Sequence, residues 1–249
     1  MTATLLILMF AFGKETAPPP RALTPAFAAQ LEFQRGEAHA TGRGVVQSDA
    51  EAARHYRMAA ESGHAAAQYS LAHAYENGAG VERDLAKAAF WYRKAAEQGD
   101  AQAQNNLGVF HAQGTGVPRN DAEAVHWYRL AAEQNDAQGM TNLASMLLTG
   151  RGTLRDLPAA FRLCRMAAES GYAIAQNNLA LMYANGKGAD RDYRLAFAWL
   201  DLAAERLPAA ATLRERIAQE LSAADLARAR EIARELRHQI HAEKEALRR

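Results

Sequence analysis

AQAQNNLGVFHAQGTGVPRNDAEAVHWYRLAAEQND, residues 101–136, is one period of a pattern that recurs along the chain. Its two glycines, Gly114 and Gly116, have counterparts at Gly42 and Gly44, Gly78 and Gly80, Gly150 and Gly152, and Gly186 and Gly188, each pair 36 residues after the last. A fixed period of this size marks a repeat protein, in which no unit holds a core alone and each must stack on its neighbours. Such a chain is usually a binding surface rather than a reaction vessel.

Within the period, Leu107 and His111 lie four apart, with Gly108 directly after the leucine. Leu71, Ala72 and Tyr75 repeat this arrangement, as do Leu143, Ala144 and Leu147, and Leu179, Ala180 and Tyr183. Large residues at i and i+4 beside a small one give a helix face that a second helix can approach closely. Asp100 and Asp136 stand just before their units, where a carboxylate caps the first amides. Four residues beyond each second glycine come Ser48, Asp84, Asn120, Asp156 and Asp192, all strong N-cap types. Behind three of them fall Ala52, Tyr56 and Ala59, then Ala88, Tyr92 and Ala95, then Ala124, Tyr128 and Ala131, at i, i+4 and i+7. Gly63, Gly99, Asn135 and Gly171 then supply a left-handed residue at the end of the second helix. Each unit is therefore helix, glycine loop, helix, short turn. The expected fold is all-α: a right-handed α/α superhelix of five 36-residue helix-loop-helix repeats with C-terminal capping helices.

The unit from Ala101 to Asp136 resembles the Sel-one-like repeat (SLR) family, a relative of the tetratricopeptide repeat. Its pattern of A-x-A-x-x-x-L-G, G-x-G, W-Y and A-A is matched almost fully in the second, third and fifth units. The resemblance covers roughly Phe27 to Leu207, and the repeats are assigned to residues 27–207. It implies protein–protein adaptors and scaffolds, including secreted bacterial members. One branch of the family is cysteine-rich, with a disulfide in each repeat. This chain has one cysteine, so nothing of that branch carries over.

Length, charge and cysteine content narrow the function. The net charge of +1 provides no general basic field for nucleic acid. Cys164 falls where other units have Tyr56, Tyr92, Tyr128 and Leu200, so it reads as a packed residue rather than a nucleophile. His238 and His241 are three apart on the last helix, but no third ligand follows at motif spacing, and no metal or other cofactor is expected. The G-x-G pairs follow no strand and recur as helix connectors, unlike phosphate loops. Trp91, Trp127 and Trp199 share one repeat position and read as core or stacking residues. With no serine elbow and no zinc motif, the chain is read as not an enzyme. A secreted hydrolase of cell-wall or β-lactam substrates and a purely structural spacer are the alternatives to an adaptor.

Residues 1–26 form a separate leading segment. Its apolar run Leu5–Phe12 is too short to span a membrane, so no integral span is expected. It reads as the hydrophobic part of an export signal, followed by the stiff Pro18–Pro20 linker. A cytosolic tail docked on the first unit is the alternative, and export is the favoured reading. In the first unit Arg35, Gly36 and His39 replace the usual Leu, small and large residues, as a polar end cap requires. Residues 208–249 read as capping helices, with a break at Pro208 and a new start at Ser222 and Asp225. Leu226, Ala229, Ala233, Leu236 and Ile240 give the last helix an apolar stripe that lies over the fifth repeat or, alternatively, forms a homodimer.

In the related tetratricopeptide superhelix the first helix of each pair lines the concave groove. Carried over through the Leu-Gly landmark, the resemblance places Tyr69, Ser70 and His73 in that groove. With them go Asn105, Asn106 and Val109; Thr141, Asn142 and Ser145; and Asn177, Asn178 and Leu181. Asn106, Asn142 and Asn178 hold one position in three successive units, and a carboxamide both donates and accepts. Such a ladder suits the backbone of an extended peptide. Bonding between neighbouring repeats is the equal alternative.

Overall fold

The computed structural model describes residues 24–246. Leu5–Phe12, Pro18–Pro20, Arg248 and Arg249 lie outside them. The described residues form twelve α-helices and no strand. The repeats contribute α1 (Pro25–Thr41) with α2 (Asp49–Glu61), α3 (Ala65–Asn77) with α4 (Leu85–Glu97), and α5 (Ala101–Gln113) with α6 (Asp121–Glu133). They continue with α7 (Ala137–Thr149) and α8 (Leu157–Glu169), then α9 (Ala173–Asn185) and α10 (Tyr193–Ala203). From α1 to α10 each helix packs on its neighbours in the chain, as a solenoid requires. Among the described residues no helix is long and apolar enough to cross a membrane.

Local chemistry sets the helix ends. Ser48, Asp84, Asn120, Asp156 and Asp192 all cap their helices, each side chain accepting from amides two or three residues on. Asp100 and Asp136 cap α5 and α7 in the same way. Gly42, Gly78, Gly114, Gly150 and Gly186 end the first helices at φ between 63° and 73°. Asn135 is a non-glycine residue at positive φ, 61°.

The second glycine of each pair has a different task. A Cβ on Gly116 would drive into the carbonyl of Leu85, the first residue of the preceding unit's second helix. Gly80 rests in the same way on Asp49, Gly152 on Asp121 and Gly188 on Leu157. The loop of one repeat thus lies directly on a helix start of the repeat before it.

Inside each unit a small residue faces a large one. A Cβ on Gly108 would come 2.6 Å from the Tyr128 ring, and one on Gly36 would come 2.6 Å from the Tyr56 ring. Gly36 is buried and makes room for Tyr56, so it is not part of a polar end cap. Arg35 is exposed and pairs with Glu32 at 2.6 Å, while His39 turns inward to stack on His55. Leu71, Leu107 and Leu179 are fully buried, as are the alanines packed around them.

The three repeat tryptophans sit in or against this core, with Trp127 and Trp199 buried and Trp91 half-buried. α11 (Pro208–Gln219) and α12 (Ala223–Ala246) both pack on α10 and close the C-terminal end. Ala229, Ala233 and Ile240 of α12 are buried within the chain, and Arg237 anchors that helix to Asp201 and Glu205.

The first connection between repeats has a pH-sensitive cap. His64 takes the place held by Asp100 and Asp136, and its Nδ1 accepts from the Ala67 amide at 3.2 Å. Its Nε2 bonds Gln30 at 2.9 Å and its ring stacks on Phe33. Only an unprotonated Nδ1 can accept, and burial holds this imidazole below the usual histidine range. As pH falls below about 6.5 the unfolded chain takes up this proton more readily than the folded one, so stability is lost. His64→Asp replaces the imidazole with the carboxylate used elsewhere. The fall in melting temperature between pH 7 and pH 5 should be smaller in this variant than in the wild type, by thermal denaturation at both pH values. An equal fall in both proteins would remove His64 as a source of acid sensitivity.

Candidate functional site: a groove along the first helices

α5 touches α7, and α7 touches α9, so first helices of successive repeats line up side by side. The residues assigned to the groove all lie on these first helices: Tyr69, Ser70 and His73 on α3, Asn105, Asn106 and Val109 on α5, Thr141, Asn142 and Ser145 on α7, and Asn177, Asn178 and Leu181 on α9. His73, Ser145 and Leu181 are exposed, and Val109 and Asn177 are half-buried.

Two clefts form at equivalent places in this surface. One, of about 300 Å³, lies between the first and second repeats and gathers Tyr69, Ser70 and His73 with Tyr56 and Asp49. The other, of about 250 Å³, lies between the fourth and fifth and gathers Thr141, Ser145, Asn178 and Leu181 with Cys164 and Lys187. Cys164 at the floor of the second cleft takes the place that tyrosine fills in the first three repeats. Its thiol is buried, donates to the Ala175 carbonyl at 3.3 Å, and is pushed up by burial to about 12. A thiol in that state is a packing group and not a nucleophile.

Between the clefts the surface is knitted shut by amides. Asn142 Nδ2 donates to Asn105 Oδ1 at 2.8 Å across the third and fourth repeats. Asn105 is 3% exposed and donates in turn to Asn106 and to Gln138 at 3.3 and 3.1 Å. Asn106 also lies against the hydroxyls of Tyr69 and Tyr92, two aromatics whose rings meet at 5.7 Å. Thr141 is buried, and its hydroxyl donates to the Ala137 carbonyl at 2.6 Å. The three asparagines of the ladder are thus in different states: Asn106 and Asn142 bond within the protein, and Asn178 lines a cleft.

A second carboxamide series, unremarked in the sequence reading, lies beneath. Gln68, Gln104 and Gln176 are buried, and each donates to the carbonyl of the last alanine in the preceding helix, Ala60, Ala96 and Ala168, at 3.1, 3.1 and 3.2 Å. Gln98 and Gln134 then donate to Gln68 and Gln104 across one repeat, at 2.7 and 2.8 Å. Gln68 and Gln104, like Gln98 and Gln134, stand 36 residues apart, and Gln176 lies two periods beyond Gln104, with Met140 at the position between. A buried carboxamide with all its neighbours satisfied fixes the register of stacking.

The Sel1 repeat family matches the chain at residues 29–64, 65–100, 101–136, 137–172 and 173–206. Among solved structures, the chain is similar to a protective antigen of uropathogenic Escherichia coli with an SLR fold. That likeness has 33% identity and a TM-score of 0.81, over 86% of this chain and 46% of that one. This chain therefore spans about half the length of that relative. A Sel1 repeat protein from Oxalobacter formigenes is 34% identical with a TM-score of 0.69, over 75% of this chain and 73% of that one. An immunity protein of Pseudomonas aeruginosa shares the fold at 20% identity, with a TM-score of 0.50 over 86% and 83% of the two chains. A comparison with curated proteins finds no match. Sel1-repeat proteins are commonly protein-interaction scaffolds. With five in-phase units matched from residue 29 to residue 206, the chain belongs to the Sel1 repeat family.

Proposed function

We propose that this protein is a non-catalytic adaptor that grips an extended peptide segment of a partner along its first-helix groove, with a partner side chain in each end cleft. The observation that carries this reading is the pair of equivalent clefts flanking a closed, amide-lined middle. An extended strand gains affinity from main-chain hydrogen bonds and specificity from spaced side-chain pockets. Asp49 beside one cleft and Lys187 beside the other give the two ends opposite charge, which favours one direction of the bound chain. Leu148, Leu181 and Met182 stand in the wall of the second cleft, where an apolar side chain of the partner can pack.

The test is a peptide-display selection on the intact protein, followed by titration of the enriched peptides. Ser145→Arg places a long cationic side chain at an exposed cleft position without touching the core. Selected peptides should bind this variant at least about tenfold more weakly, a loss of roughly 1.4 kcal/mol. Equal binding to wild type and Ser145→Arg across the selected set would place recognition on another face.

A further inference from the structure

The first repeat departs from the others by bringing two histidines together. His39 of α1 and His55 of α2 stack with ring centroids 5.6 Å apart and planes only 9° from parallel. Glu51, one turn before His55, completes the group: one donor atom from each of the three lies within 4.8 Å of the other two.

The protonation of both rings follows from their partners. His39 Nδ1 lies 3.2 Å from the Val46 carbonyl, which can only accept, so that nitrogen carries the hydrogen. His55 Nδ1 lies 2.6 Å from Glu32 Oε2, an ionised carboxylate that also only accepts. Each Nε2 is left with its lone pair. A ring N–H held by a carboxylate or a backbone carbonyl is the support that orients metal-binding histidines and raises their basicity. Two imidazoles and a carboxylate are, moreover, a donor set suited to zinc.

A cationic group already bridges two of the three. Arg54 Nη2 lies 3.1 Å from His55 Nε2, and its Nε donates to Glu51 Oε2 at 2.9 Å. This side chain is 55% exposed, and a surface pair one turn apart holds it weakly. Donor atoms around a tetrahedral zinc stand about 3.3–3.5 Å apart, given bonds of about 2.0–2.1 Å. Contraction of the group by up to about 1.5 Å, with Arg54 swung into solvent, is within the reach of side-chain rotation.

We propose that His39, Glu51 and His55 bind a divalent zinc-class cation that staples α1 to α2 in the N-terminal repeat, with Glu32 as a positioning residue and Arg54 as a competing cation. Three protein donors leave a fourth position for water or for a donor from a docked chain. Because the cation would tie α1 to α2, its binding stabilises the first matched repeat.

The test titrates the full chain with zinc chloride against a competing chelator, and with cobalt chloride read by visible absorption. One equivalent should bind, with a cobalt spectrum of nitrogen–oxygen coordination and a higher melting temperature. His39→Gln and Glu51→Ala should each weaken binding on the order of tenfold or more, and Glu32→Gln by about tenfold. Arg54→Ala should tighten it. The double variant His238→Ala/His241→Ala should bind as the wild type does, since both residues are exposed on α12. Circular dichroism establishes that each variant is folded, and His39→Gln decides the matter if the buried His55 cannot be replaced. An absent cobalt spectrum, or one equivalent of binding unchanged in both His39→Gln and Glu51→Ala, overturns the proposal.

Discussion

Gly116→Ala should unfold in urea at a much lower concentration than the wild type, whereas Gly44→Ala should lower the midpoint by less. Both glycines have positive φ, 66° and 75°, so both variants carry the cost of a left-handed alanine, about 1–2 kcal/mol. Their surroundings differ. A Cβ at position 44 meets nothing within 4 Å among the described residues. At position 116 it drives into the Leu85 carbonyl and crowds the backbone of Ala86, at the start of α4. Backbone cannot rotate away as a side chain does, so the stacked repeats must part, at a further cost of about 1–3 kcal/mol. The expected losses are therefore about 1–2 kcal/mol at Gly44 and about 2–5 kcal/mol at Gly116. Gly114→Ala should fall between them, since its Cβ would meet the Arg119 Cβ at 3.1 Å. Stability in a solenoid is a sum over units and their interfaces, so hydrogen exchange should speed up most at the junction of α4 and α5. Equal losses at Gly44 and Gly116 would show that φ alone sets the cost.

This ordering marks where the sequence stops being legible. That the glycines are needed follows from their period, and their positive φ from their place after a helix. That the second glycine of each pair rests on the preceding repeat is a contact between units, invisible in any one of them. The caps were readable because a side chain two or three residues from its amide is local chemistry: Ser48, Asp84, Asn120, Asp156 and Asp192 all hold their helices as their residue types imply. The buried glutamines carry the same period as the glycines, yet a carboxamide looks polar and exposed until the carbonyl it serves is in place. His39, Glu51 and His55 carry no period at all. They come together because α1 and α2 are antiparallel, which brings residues sixteen apart face to face. The state of each asparagine was the least legible feature, since it depends on which neighbour fills the space beside it.

That difference among the asparagines separates two effects of changing them. Asn142→Ala removes the 2.8 Å donation to Asn105 and leaves a buried amide oxygen short of a partner. The expected cost is about 1–3 kcal/mol of folding stability, whatever binds in the groove. Asn178 lines the open cleft, so Asn178→Ala should leave stability within about 0.5 kcal/mol of the wild type. A peptide lying along the groove would pass all three positions, and each hydrogen bond it makes contributes about 0.5–1.5 kcal/mol. The triple variant Asn106→Ala/Asn142→Ala/Asn178→Ala should then bind a display-selected peptide about tenfold to a few hundredfold more weakly. Asn178→Ala alone should account for a share of that loss out of proportion to its effect on melting, because its carboxamide lines the cleft where the other two are engaged within the protein. Titration of one peptide against the wild type, the two single variants and the triple variant, each at a temperature well below its own midpoint, measures both quantities. A triple variant that melts early and binds as tightly as the wild type would assign the ladder to the stacking of repeats, and would move the peptide's main-chain contacts off these three residues.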